Sequence, residues 1–157
     1  YFNPRQFSNP DNVWCHKFTT GPEIIKEMPQ LSAFIAGSGT GGTLMGVNEA
    51  LKTQNIQAKI VQVQPEESNA THGIQGINDG EDFLLDKNIV DETIYIKTDD
   101  AVKRAKKLAK ENGLLVGISS GANVLAAEKW VEKNNPEHPV VTILCDRGER
   151  YFSCYED

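Results

Sequence analysis

The run Ala33-Phe34-Ile35-Ala36-Gly37-Ser38-Gly39-Thr40-Gly41-Gly42-Thr43-Leu44-Met45-Gly46 constrains this chain more than any other stretch. Apolar residues lead into glycines and small hydroxyl side chains, and a helical pattern begins directly behind them. That order reads as strand, tight turn and helix N-terminus. Glycines let the backbone approach a bound group closely, and the free N–H groups at a helix start favour an anion such as a phosphate. Thr40 and Thr43 add hydroxyl donors. Two ligands compete for the loop. Gly37-x-Gly39-x-x-Gly42 satisfies a dinucleotide fingerprint, and Glu66 closes the next strand-like run where a ribose-binding acid would stand. Glycine-dense loops meet that pattern by chance, however, and Glu66 reads equally as an exposed charge at a strand end. A glycine turn with no ligand is the third reading.

The rest of the chain places the loop in an α/β domain. Residues 1–22 carry Asn, Pro, Thr and Gly without a period and read as an ordered loop. Thr19-Thr20-Gly21-Pro22-Glu23 opens a helix running to about Glu27 or Met28, with a hydroxyl as cap and Pro22 in the first turn. A strand over Ala33–Ala36 and a helix from about Thr43 to Lys52 follow. Lys59–Pro65 alternates and is β-branched, as a strand does. Residues 66–92 show no regular pattern. Thr93–Lys97 is a further strand, and Thr98-Asp99-Asp100 opens a long helix that Asn112-Gly113 ends. Leu114–Ile118 leads into Ser119-Ser120-Gly121-Ala122 and a helix through Val131. Val140–Cys145 reads as a buried strand that ends in Asp146-Arg147-Gly148. Strands alternating with helices predict an open, mostly parallel sheet with helices on both faces, in one domain over residues 1–157.

Composition excludes several partners. The net charge is −6, from 22 acidic and 16 basic residues, and no Lys/Arg run stands out. Nucleic acid and anionic membrane are therefore not expected. No apolar run reaches the length of a membrane span. Cys15, Cys145 and Cys154 are odd in number and fit no zinc spacing, so no metal is expected and a reduced, cytoplasmic setting is. The chain opens at Tyr1 without an initiator Met and reads as a loop already under way.

In open α/β sheets ligands sit outside the carboxyl ends of the strands. Here the glycine loop, Gly117–Ala122 and Cys145–Arg150 qualify. Gly39-Thr40-Gly41-Gly42-Thr43, Gly117-Ile118-Ser119-Ser120-Gly121-Ala122 and Gly148-Glu149-Arg150-Tyr151 resemble, in this order, the cysteine synthase (O-acetylserine sulfhydrylase) family. So do Gln6-Phe7-x-Asn9-Pro10-x-Asn12 and Thr19-Thr20-Gly21-Pro22-Glu23-Ile24. These are fold-type II enzymes using pyridoxal 5′-phosphate (PLP). The resemblance covers nearly the whole chain and matches it to the C-terminal half to two-thirds of such an enzyme. It implies that Gly39, Thr40, Gly41, Gly42 and Thr43 cup the PLP phosphate and that Ser119 meets the pyridine nitrogen. A neutral hydroxyl there does not hold that nitrogen protonated, which suits β-elimination and replacement. Gln6 and Gly76 match positions near the substrate. Without the resemblance, Ser119 reads as a helix cap and Gln6 as a loop-bracing amide.

Two departures stand out. Cys145-Asp146-Arg147-Gly148 resembles the B-type enzymes, placing Cys145 and Asp146 near the ring nitrogen, although a lone Cys ending a strand is also ordinary core. After Ile74-Gln75-Gly76-Ile77, Asn78-Asp79-Gly80 replaces a Gly-Ala-Gly run. The family's Schiff-base lysine and Thr-Ser-Gly-Asn substrate loop belong to an N-terminal part, and no lysine here stands in the matching motif. His16, His72 and His138 form no triad with a serine or cysteine; they read as surface or structural residues. The expected parent is a homodimeric, PLP-dependent transferase that replaces the acyloxy group of an activated serine using sulfide or another sulfur donor. This polypeptide alone is expected to hold no catalytic residue. The other readings are a cystathionine β-synthase-like or dehydratase relative, and a non-catalytic dinucleotide- or partner-binding module.

Overall fold

The computed structural model describes residues 3–66 and 84–155. Among them a four-stranded, all-parallel sheet runs in the order β3-β2-β1-β4, with β1 at Ala33–Gly37, β2 at Lys59–Pro65, β3 at Glu92–Ile96 and β4 at Val140–Thr142. The first three strands build outward from β1. The chain then crosses back through two helices and adds β4 on the other side of β1. The strand order therefore reverses between β1 and β4, and the crevice outside their carboxyl ends is where such sheets bind ligands.

β1 is apolar throughout because both of its faces are covered. Phe34 and Ala36, with Ile60 of β2, face Leu44, Val47 and Leu51 of helix α3 (Gly42–Thr53) and the half-buried Ile24 and Ile25 of α2 (Thr20–Glu27). Ala33 and Ile35, with Val61 and Val63, face Ala101 of α4 (Thr98–Asn112) and Ala122, Ala126 and Trp130 of α5 (Ile118–Asn134). Arg104 of α4 donates to both carboxylate oxygens of Glu128 on α5, so the two helices are also stapled at their rim.

The front segment differs from the expected loop: Asp11–Phe18 is a helix, α1, packed on α3. Val13 is its one buried residue among those described, so no apolar period announces it. Local chemistry carries it instead. Asn9 Oδ1 accepts from Asp11 N at 2.9 Å, Asp11 sits at the positive end, and His16 and Lys17 sit at the negative end. The expected cap of α2 is also corrected. The Thr19 hydroxyl donates to Cys15 O at 2.6 Å, closing α1, and makes no capping bond to α2.

β4 is shorter than expected and is an edge strand among the described residues. Its residues are half-exposed and Leu144 beyond it is exposed, so a β-branched run here marks an edge and not a buried strand. At the other end of the chain, Gly148–Tyr151 forms a 3-10 turn and Phe152–Tyr155 a short helix, α6. Tyr155 Oη donates to Val116 O at 2.6 Å, tying this tail to the approach to α5.

Candidate functional site

Gly37–Gly42 connects β1 to α3. Gly41 has φ +85°, a left-handed conformation that only glycine adopts cheaply, and a Cβ there would strike Leu85. A Cβ on Gly42 would run into the Asn12 side chain. That asparagine braces the turn, donating to Thr40 Oγ1 at 2.9 Å and to Gln6 O at 2.8 Å. Gly42 N also donates to Thr40 Oγ1 at 3.2 Å. The Thr40 oxygen thus accepts twice, and its proton is left to donate elsewhere. Thr43 Oγ1 lies 3.2 Å from His16 Nε2, and His16 Nδ1 lies 2.9 Å from Thr20 Oγ1. Desolvation holds the imidazole pKa below its ordinary value, so the ring is a neutral relay between two threonines.

Ser119 sits in the first turn of α5, buried at 8% exposure. The N-cap position belongs to Gly117, which corrects the capping reading of Ser119. A Cβ on Gly117 would collide with the Asp146 carboxylate, and Gly117 N donates to Asp146 O at 3.0 Å. Ser120 Oγ accepts from Cys145 N at 2.9 Å. The start of α5 and the exit of β4 are therefore sewn together.

Asp146 has two different oxygens. Oδ2 accepts from the Tyr151 hydroxyl at 2.5 Å, which, with desolvation, pushes the phenol up to about 12. Oδ1 is buried with no hydrogen-bond partner among the described residues. A buried acceptor without a donor is costly, so this oxygen suits a bound group that carries one. Cys145 is exposed as a residue while its sulfur is largely enclosed; desolvation pushes the thiol up, Asp146 adds to that, and an amide hydrogen bond from Asn123 opposes it.

Asn123, which the sequence did not single out, joins the two strand exits. It is fully buried on α5, accepts from Gly37 N at 2.8 Å, and donates to Ile143 O at 2.9 Å and Cys145 Sγ at 3.3 Å. Its only sequence signal is a polar residue one helical turn after Ser119, on the same face.

The structure thus brings Gly39–Thr43, Ser119, Cys145 and Asp146 to one end of the sheet. Gln6 is exposed and reaches the loop through its backbone oxygen on Asn12. Gly76, the Ile74–Gly80 segment and His72 lie outside the described residues. Glu66 is exposed and pairs loosely with Lys97 at 3.9 Å, the strand-end charge reading. Lys52 and Lys59 line a cleft of about 310 Å³ with Asn48 and Asp91, at the start of β2 and away from the strand exits. Among the described residues no cluster of three His, Cys, Asp or Glu is arranged to hold a metal, and no helix is long and apolar enough to cross a membrane.

Relatives share this arrangement at the level of sequence and fold. A cysteine synthase of Staphylococcus aureus is 40% identical over 98% of this chain, and a cysteine synthase B of Campylobacter jejuni is 42% identical over 97%. In each case the match takes up 53% of the relative, so the chain spans about half the length of these proteins. The crystal structure of an O-acetylserine dependent cystathionine beta-synthase from Helicobacter pylori superposes with a TM-score of 0.87 at 38% identity, over 96% of this chain and 52% of that one. Residues 1–146 match the family of pyridoxal-phosphate dependent enzymes, and the chain belongs to that family.

Proposed function

We propose that this chain is the PLP-binding portion of a cysteine synthase that replaces the acyloxy group of O-acetylserine, or a similar activated serine, with sulfide or another sulfur donor. The observation that carries the reading is the convergence of the glycine loop, the start of α5 and the Cys145-Asp146 exit at the β1/β4 reversal. The residues fit the cofactor's two polar ends. The α3 N-terminus and the Thr40 hydroxyl suit a phosphate, and the unpartnered Asp146 Oδ1 suits a polar donor on the ring or substrate side.

Bound PLP supplies an electron sink that labilises the substrate's α-proton and β-leaving group. The chain's own residues bind and orient. Gly39–Thr43 hold the phosphate, and Thr40 is kept in a donating orientation by Asn12 and Gly42 N. The Ser119 hydroxyl meets the pyridine nitrogen as a neutral partner, and Cys145 and Asp146 border the same side. Gln6 would contact the substrate, and the substrate role of Gly76 falls outside the described residues. Covalent attachment and α-proton transfer would call for a lysine that the resemblance places in the part of the relatives this chain does not cover. The parent is a homodimer of the cytoplasm.

Titrating PLP and its dephosphorylated form pyridoxal into the folded chain tests the reading. PLP should bind at least about tenfold more tightly, because the loop's donors and the helix dipole act on the phosphate alone. Equal affinities would remove the loop from the site, and tighter NAD binding would favour the dinucleotide module.

A further inference from the structure

The β1–β4 ladder ends with β4 at Thr142, while β1 runs on to Gly37. Its last paired residues are Ile35 and Thr142, with the Thr142 hydroxyl donating to Ile35 O at 2.7 Å. One rung further on, Gly37 N and Ile143 O do not meet each other. Each is bonded to the same side chain, that of Asn123. A carboxamide carries one carbonyl acceptor and an N–H donor, the two functions of a peptide group. It can therefore replace a rung of the ladder while keeping the strands further apart than a direct rung allows.

We propose that Asn123 is the positioning residue of the site: it wedges the exits of β1 and β4 apart at a set width and places Ser119, one turn earlier on α5, against the glycine loop. The identity of what occupies the crevice rests on the reading above; the wedge itself does not. Three features single out asparagine. The side chain is fully buried at 0% exposure, so each polar group it leaves unpaired would stay unpaired. Both ends of the amide are used, which Ser and Leu cannot reproduce. Its third contact, to Cys145 Sγ, lies on the strand exit that Ser120 also holds through Cys145 N. By hydrogen bonds α5 is thus tied to β1 at Gly37 N and to the exit of β4 at Ile143 O, Cys145 Sγ and Cys145 N, and Ser119 moves with it.

Asn123→Ser shortens the side chain so that neither strand is reached, and Asn123→Leu keeps the volume while removing both the acceptor for Gly37 N and the donor for Ile143 O. Asn134→Ala is the control, removing another α5 amide, which bonds Trp130 O within its own helix. Readouts are amide hydrogen exchange at Gly37, thiol labelling of Cys145 mapped by peptide, and PLP affinity followed by fluorescence. In folded Asn123→Ser, Gly37 should exchange about tenfold faster or more, Cys145 labelling should change, and PLP affinity should fall at least about tenfold. Asn123→Leu should expose Gly37 to exchange as Asn123→Ser does, change Cys145 labelling and weaken PLP. The control should do none of this. Wild-type Gly37 exchange and Cys145 labelling in a folded Asn123 variant would overturn the wedge, as would equal PLP losses in Asn123→Ser and the control. Should Asn123→Ser not fold, Asn123→Leu decides by the same measurements. Failure of the wild-type chain to bind PLP would sink the proposed function, while exchange and labelling would still decide the wedge.

Discussion

At Gly41 the loop depends on backbone freedom and on the space a missing Cβ leaves. Its φ of +85° and the Leu85 backbone beside it act together. Gly41→Ala should cost about 1–2 kcal/mol for the left-handed conformation alone, and more because Leu85 must move. Urea unfolding gives the number, and PLP affinity should fall with it. Two titrating side chains report on the same neighbourhood. Tyr151 should ionise near pH 12 in a spectrophotometric titration, with Tyr151→Phe removing that late step. The sign follows from its raised folded pKa: the Asp146 bond stabilises the fold fully below the ordinary phenol value near 10, and this is lost as pH rises through about 12. His16 has the opposite sense. Its folded pKa is lowered by desolvation, so its contribution is present above about 6.5 and is lost as pH falls through the folded value. An NMR titration should place His16 below an unfolded-peptide histidine.

At the scale of elements, helix ends are set by particular residues. Gly113 closes α4 at φ +69°, its N–H bonded to Ala109 O and Leu114 N to Leu108 O. A Cβ there would meet nothing within 4 Å. Gly113→Ala should therefore cost only the backbone term, about 1 kcal/mol, and less than Gly41→Ala in the same unfolding assay. If the two cost the same, Leu85 adds nothing to the constraint at Gly41. The glycine loop, α3 and α5 were legible because glycines and small residues lead into apolar helical runs, and α4 because first-turn Asp99 and Asp100 and the closing Gly113 frame an apolar stripe. α1 was not, because a helix with one buried residue has no stripe to read.

For the whole molecule, activity turns on whether an amine stands at the strand exits. The strand exits gather donors, an orphan acceptor and a hydroxyl, while Lys52 and Lys59 lie at the start of β2. Covalent capture needs an amine held at the cofactor's carbonyl carbon, and proton abstraction needs it at the substrate's α-carbon. Losing a positioned acid–base group typically costs about 100- to 10,000-fold by itself. The chain should show no cysteine synthase activity, and borohydride treatment after mixing with PLP should leave no stoichiometric pyridoxyl-lysine on peptide mapping. A single labelled lysine at full occupancy would falsify the division between parent enzyme and incomplete portion.

Some of this protein was determined locally, and the sequence alone displayed it. The turn after β1 needs glycine at a left-handed residue, β1 needs apolar side chains on both faces, and α4 needs a glycine to stop. Each is a constraint within a few residues. The tertiary structure decided what depends on distant partners. Ser32, Lys59 and Pro139 meet only because β1, β2 and β4 align, and β4 became an edge strand because nothing described pairs beyond it. Asn123 carries no sequence mark because its meaning lies in two strand ends, one 86 residues before it and one 20 residues after. A buried amide is read from its partners, and only folding supplies them.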